Sequence, residues 1–257
     1  MKRKPSANHR HRVRSGRSEV TATIATSGLL CRCASVFVAA GSTTEIGVKP
    51  TRSELGSRKR QAHIIASGRL GTAVHPGYDY SAQAISEMSA IGAPTVDLLA
   101  PLYGIWSLLF LAFTAGVWIF GRGRPALRRS AGFLFAVAVV GSGFSLFPMN
   151  QRSADPTFTD TMHLIVAGAT ILLLAGAILA GARAFERGFR RYSAATVAVM
   201  LLFFVLTMRD VPNVAADLPT PYMGLNERIS MAAWLLWIAV FSVRLFRIGK
   251  TSPLATV

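Results

Sequence analysis

The sequence predicts an all-α protein: a polytopic bundle of about five transmembrane helices that follows a disordered basic arm. Three observations lead to this fold class. Of the 257 residues, 51% are hydrophobic and only 16% are charged, whereas a soluble domain carries about a quarter charged residues. After residue 75, several stretches are free of charge over the length of a membrane span. Basic residues are concentrated before residue 75 and in alternate loops after it.

The first element is the arm, residues 1–74, which holds fourteen basic and three acidic residues and therefore carries +11 of the net charge of +16. An Arg-rich, Ser-rich and acid-poor composition is typical of a disordered or targeting segment. An incorrectly assigned start of the chain is the alternative interpretation. The arm has no interleaved aromatic residues and no nucleic-acid-binding motif, so we expect no nucleic acid as a partner.

The two cysteines, Cys31 and Cys33, both lie in the arm. A structural zinc site needs two further ligands at a suitable spacing, and His9 and His11 lie too far upstream to supply them. We therefore expect no metal, and no cofactor is predicted for the chain.

Membrane helices are predicted wherever charge is absent over roughly 17 to 25 residues, the length that crosses a hydrocarbon core of about 30 Å. Five segments meet or approach this length, and they are 98–120, 131–147, 161–182, 192–208 and 229–243. The last is short unless the arginines that follow it reach the headgroups with their long side chains. Trp118, Trp234, Trp237 and Tyr222 are candidates for anchoring at the interfaces.

The orientation follows from the loops, because short loops rich in Lys and Arg stay on the cytoplasmic side. Three regions are basic, and their residues are Arg122, Arg124, Arg128, Arg129, Arg183, Arg187, Arg190, Arg191, Arg244, Arg247 and Lys250. Segments 75–97, 148–160 and 209–228 carry most of the acidic residues. We expect a cell-membrane protein with a cytoplasmic C-terminus, tail 248–257, and with these three segments outside.

Five crossings leave the basic arm on the outer side, which contradicts the same rule. By this rule, one crossing is missing from the count. Segment 24–41 is the candidate, but Arg32 interrupts it, and a central arginine costs about 2.5 to 3.5 kcal/mol on insertion scales.

Three stretches carry more information than hydrophobicity requires, and they read HPGYDYSAQAISEMSAIGAP (75–94), FPMNQRSADPTFTDTMH (147–163) and GLNERIS (224–230). In order and content they resemble the domain of unknown function 998 family of prokaryotic integral membrane proteins, over roughly residues 75–247. The resemblance implies about six membrane helices, of which the first is absent or replaced here. Asn150 stands where the family pattern would have an acidic residue. No activity is implied.

The outward segments also collect the ionisable residues. The candidates for ligand binding are His75, Asp79, Gln83, Glu87, Arg152, Asp155, His163 and Glu227. Within the outer-face interfacial segment 75–97, residues 79–87 are predicted to form a short interfacial helix over the mouth of the bundle, with Gln83 and Glu87 on one face and Asp79 or Tyr80 as its cap. Catalytic candidates are His163, Asp160 and Glu87.

Each of these candidates also has a structural interpretation. Asp160 or Thr159 can cap a helix while His163 bonds a neighbouring loop. Glu227 can stabilise the start of the last helix, or it can pair with Arg152 or Arg209 and hold the outer loops together.

Three functions remain open at this point. The first is a non-enzymatic bundle whose outer polar site binds a lipid headgroup, a small ligand or a partner protein, with self-association included. The second is a metal-assisted membrane hydrolase that uses His75, Asp79, Asp155 and His163 to activate water. A transporter is the third, but the helices almost completely lack the central charges that transporters use.

Overall fold

A computed structural model describes residues 77–251 of the chain. In this part it is all-helical, with no β-strand. The helices are α1 Val96–Phe120, α2 Pro125–Gly141, α3 Gly143–Leu146, α4 Phe158–Ala182, α5 Arg187–Arg209, α6 Val211–Ala215 and α7 Met223–Thr251, and a 3-10 helix, Ser86–Ser89, precedes them. The arm 1–74 and the candidate crossing 24–41 lie outside the described residues, as do His75 and residues 252–257.

Five helices are long and apolar enough to cross a membrane, which confirms the predicted bundle. They are Val96–Phe120, Pro125–Leu146, Phe158–Ala182, Arg187–Ala215 and Met223–Gly249. The protein is thus a multi-pass membrane protein in architecture. The last span was predicted at 229–243 and is 27 residues long in the structure. The prediction stopped at Arg228 because it used charge as a boundary, whereas the helix continues past this arginine.

The bundle is held by neighbouring antiparallel helices. Helix α4 packs along α2 and α5, α5 packs along α7, and α1 packs along α2. The small residues of α4 allow a close approach to α2: Ser130 Oγ donates a hydrogen bond to the carbonyl of Ala177 at 2.8 Å, and a Cβ at Gly181 would lie 2.8 Å from the same hydroxyl.

An aromatic core fills the space between α5 and α7. Trp237 stacks on Phe241 with ring centroids 4.5 Å apart, and its indole N–H donates to Ser193 Oγ at 2.8 Å. Trp237 is therefore buried, and its predicted role as an interfacial anchor is wrong. Its hydrogen-bond donor is satisfied inside the bundle, so it has no need of the headgroup region. The large exposed side chains along the spans, such as Leu108, Leu172 and Val205, are apolar, as a lipid-facing surface requires.

Residues 77–95 form a cap across one end of the bundle, which we call the lid. The lid contains turns and the short 3-10 helix Ser86–Ser89, so the single interfacial helix predicted here is not formed. It meets the chain at the starts of α1 and α7 and at the loop before α4. We call this the lid end of the bundle, and the opposite end the arginine end.

Candidate functional site

The lid is joined to the loop before α4 by an ion pair between Glu87 and Arg152. Arg152 Nε donates to Glu87 Oε2 at 2.7 Å, and its Nη2 donates to Oε1 at 3.0 Å. The carboxylate is 5% exposed and the guanidinium side chain 19%. The two-pronged geometry fixes the position of both side chains more firmly than a single contact would.

The same guanidinium reaches a third segment of the chain. Arg152 Nη2 also donates to the carbonyl of Ala82 at 3.1 Å and to Thr220 Oγ1 at 2.8 Å. Thr220, from the loop before α7, donates its own hydroxyl to the carbonyl of Ala82 at 2.8 Å. Arg152 therefore connects the lid with both loops of the lid end.

Glu87 also organises the lid internally. It accepts the backbone N–H of Ala84 at 2.7 Å and the side-chain amide of Gln83 at 3.3 Å. Gln83 and Glu87 contact each other, although the helix on which they were predicted to share a face is not formed. Asp79 receives hydrogen bonds from the hydroxyl and the backbone N–H of Ser81, and these hold the pKa of its carboxyl below the usual range. This Asp79 turn replaces the first turn of the expected helix.

Arg228, in the first turns of α7, binds the backbone of the lid through a set of contacts that we call the clamp. Its Nη1 donates to the carbonyls of Tyr80, Gln83 and Gly224, at 2.9, 3.1 and 2.9 Å. Its carbon Cζ lies 3.8 Å from the centroid of the Tyr80 ring. This buried arginine was not among the residues predicted for the site. The sequence signal for this role is a charged residue within a membrane helix, because such a charge has to be shielded by other parts of the molecule.

Tyr78 completes the clamp. Arg228 Nη2 donates to its hydroxyl at 2.6 Å, and that hydroxyl donates to the carbonyl of Ala84 at 2.9 Å. Burial raises the pKa of Tyr78 to about 12, although the nearby arginine charge works against this rise. The phenol is therefore neutral and keeps its proton for the lid backbone.

Glu227 and Gly224 add two contacts between α7 and the lid. Glu227 Oε2 accepts the backbone N–H of Ile85, so it joins the lid to α7 rather than pairing with Arg152 or Arg209. It is the fifth residue of α7 and does not cap that helix. Gly224 lies so close to the carbonyls of Tyr80 and Gln83 that a Cβ there would overlap both oxygens.

His163 and Asp160 have separate partners, and both positions agree with their structural interpretation. Asp160 completes a capping box with Thr157 at the start of α4. His163 Nδ1 lies 2.8 Å from the carbonyl oxygen of Phe147, and its ring meets that of Phe144 edge-on. Asn150, at the position where an acid was expected, donates its N–H and its amide to the two oxygens of Asp160, each at 2.7 Å.

The candidate residues therefore fall into separate places. Glu87, Arg152, Gln83 and Glu227 meet at the lid, Asp160 and His163 occupy the start of α4, and Asp79 and Asp155 are exposed. Within residues 77–251, no three His, Cys, Asp or Glu side chains gather at a point where they could hold a metal ion.

Comparison with known proteins gives one match. A family model described as a protein of unknown function (DUF998) matches residues 64–244, about 70% of the chain. No significant match to a curated protein or to a solved structure was found.

Proposed function

The chain belongs to the DUF998 family of unknown function, and we propose that it is a non-enzymatic membrane protein that binds a partner protein at its lid end. The lid end faces outward from the cell membrane and the C-terminus faces the cytoplasm. The proposal is carried by one observation. The buried charges of Glu87 and Arg228, and the half-buried charge of Arg152, are bound by the protein itself.

Charged groups whose hydrogen bonds are made within the protein fix the position of the backbone. They leave few free donors or acceptors for a substrate. A catalytic acid or base needs an open approach and a reactive proton within hydrogen-bond reach. Glu87 has both carboxylate oxygens occupied by Arg152, by the Ala84 N–H and by Gln83. Its contacts support a structural role.

The exposed surface of the lid end offers a different chemistry. Asp79, Asp155 and Asp217 are exposed there, as are the apolar side chains of Ile91 and Leu218, each 52% exposed, of which Leu218 directly follows Asp217 in the chain. Carboxylates next to large apolar groups on a fixed backbone fit a protein partner with basic and apolar residues. A small ligand would need a concave site, and an anionic headgroup would be repelled by these acids.

Site-specific photocrosslinking in native membranes tests the proposal. A benzoyl-phenylalanine at position 218 is expected to yield a discrete protein adduct, whereas one at Leu172, which is exposed in the apolar middle of α4, should yield only lipid adducts. Replacing Asp155→Asn and Asp217→Asn together should abolish the adduct, because the partner is recognised by charge.

The matched control is Glu186→Gln, which removes an exposed acid at the opposite end and should leave the adduct unchanged. Adducts only with lipid at position 218 would contradict the proposal and favour a headgroup site. A stoichiometric metal ion in the purified protein that disappears in His163→Ala would favour the hydrolase instead.

A further inference from the structure

The arginine end carries a concentration of positive charge that the proposed partner site does not use. Ten arginines lie in its two loops, at the neighbouring helix ends and at the end of α7, together with one acidic residue, Glu186. Glu186 is engaged, because Arg244 Nη1 lies 2.7 Å from its carboxylate. The remaining positive charge has no acid at this end to balance it within the described chain.

Two of these arginines, at the junction of α1 and α2, are held in place by aromatic rings. The guanidinium carbon of Arg128 lies 4.3 Å from the centroid of the Trp118 ring, and that of Arg124 lies 4.8 Å from the centroid of Phe120. Arg124 is the residue just before α2 and Arg128 lies on the first turn of that helix, so the two are four residues apart in the chain. None of the three salt bridges found within residues 77–251 involves either of them.

The backbone of the turn also positions Arg128. A Cβ at Gly121 would lie 3.0 Å from Arg128 Cγ and 3.1 Å from its backbone nitrogen. The aliphatic part of Arg128 therefore packs directly on Gly121. The sharp return of the chain is made at Gly123, whose φ of +77° favours glycine.

An arginine stacked on a ring keeps its N–H groups free in the plane of the guanidinium, where they match the oxygens of a phosphate. Trp118 is 45% exposed and lies near the end of the 25-residue span of α1, the depth at which headgroups meet the hydrocarbon. We propose that Arg124 and Arg128 form a site for the phosphate of an anionic phospholipid. The rings face the upper acyl chains while the two guanidinium groups hold the headgroup.

Native mass spectrometry of the full chain in detergent, with phosphatidylglycerol as the probe, tests this site. Arg124→Gln with Arg128→Gln is expected to weaken binding of the first lipid about tenfold, since two charge-assisted contacts are lost. Phosphatidylcholine, with no net charge, should bind weakly to both proteins.

The matched control removes the same charge from the same turn. Arg122→Gln with Arg129→Gln replaces two exposed arginines that stack on no ring within residues 77–251, and it should weaken binding less than twofold. Equal losses in the two double variants would overturn the proposal, because they would show diffuse attraction rather than a site.

Two single variants separate position from charge. Gly121→Ala displaces Arg128 without changing the net charge, and Arg128→Lys keeps the charge but loses the planar fork. Both are expected to weaken phosphatidylglycerol binding, and they serve as the test if the double variant does not fold. Unchanged binding in both, or displacement of the lipid by inorganic phosphate at equal concentration, would contradict a lipid site.

Discussion

The two ends of the bundle treat charge in opposite ways. Among the described residues the lid end has eight acidic residues and three arginines, and the arginine end has ten arginines and one acid. At the lid end, Arg152 and Arg228 are turned inward and bonded to distant segments of the chain. At the arginine end, Arg124 and Arg128 lie over rings at the surface. The lid-end arginines therefore connect parts of the protein, whereas Arg124 and Arg128 of the arginine end are not part of any salt bridge found among the described residues.

Each end has one close ion pair between a glutamate and an arginine, and the pairs differ mainly in burial. Glu87 and Arg152 are 5% and 19% exposed, whereas Glu186 and Arg244 are 55% and 37% exposed, at the same shortest distance of 2.7 Å. Water and ions screen the second pair much more than the first. Burial, rather than the distance between the charged atoms, therefore decides how much each ion pair contributes to stability.

The largest effect is expected from Glu87→Gln. This substitution leaves the Arg152 charge without its counter-ion in a covered site, which should lower the free energy of unfolding by about 3 kcal/mol. Glu186→Gln, the same change at the other end, should lower it by less than about 1 kcal/mol. Unfolding by SDS titration in mixed micelles measures both, and equal values would remove the contrast between the ends.

Arg228→Met is expected to come next. The substitution keeps much of the aliphatic volume but removes all hydrogen bonds to Tyr78, Tyr80 and Gln83, which should lower stability by about 2 to 3 kcal/mol. Limited proteolysis should then cut the lid faster, with cleavage before residue 96. Arg209→Met, at a side chain that is 76% exposed, is the control and should leave the cleavage rate unchanged.

A smaller effect is expected from Asn150→Asp, which restores the acid that the family pattern suggests. The new carboxylate would face Asp160 at hydrogen-bond distance, where the amide now donates at 2.7 Å. Like charges at the cap of α4 should lower the melting temperature by a few degrees at neutral pH, on the order of 1 kcal/mol. Thermal unfolding in detergent measures it. An unchanged or higher melting temperature would show that the cap does not depend on this amide.

The effect that is smallest at neutral pH appears only at alkaline pH and is specific to the lid end. A phenol whose pKa is raised from 10.0 to about 12 on folding stabilises the folded state fully below pH 10, and this contribution is lost as the pH rises from 10 to 12. Tyr78→Phe should remove this part of the pH dependence. Absorbance titration of tyrosinate checks it, since the variant should lack the component that ionises last.

The membrane helices were predictable because hydropathy is a local property. Each span is visible in a window of about 20 residues, and its neighbours add little. The errors occurred at the ends, where Arg228 was taken as a boundary. A buried arginine is compatible with a helix once backbone carbonyls cover it, and that information lies elsewhere in the chain.

The contacts that hold the lid in place could be predicted only in part. Glu87, Arg152 and Glu227 were recognised as polar residues of one face, but their partners were not. Glu87 and Arg152 are 65 residues apart, and Glu227 bonds an N–H 142 residues away. Most acceptors of Arg228 are backbone carbonyls, which every residue has, so no residue type marks them in the sequence.

The contacts between Arg228 and the lid can form only late in the synthesis of the protein. Residues 80 and 83 leave the ribosome before every described membrane helix, while Gly224 and Arg228, which hold them, belong to the last one. Four membrane helices are therefore synthesised after the lid and before the residues of α7 that bind it. A chain that ends before α7 lacks the contacts of Arg228 with the lid. A lid without these contacts therefore distinguishes an incomplete chain from a complete one.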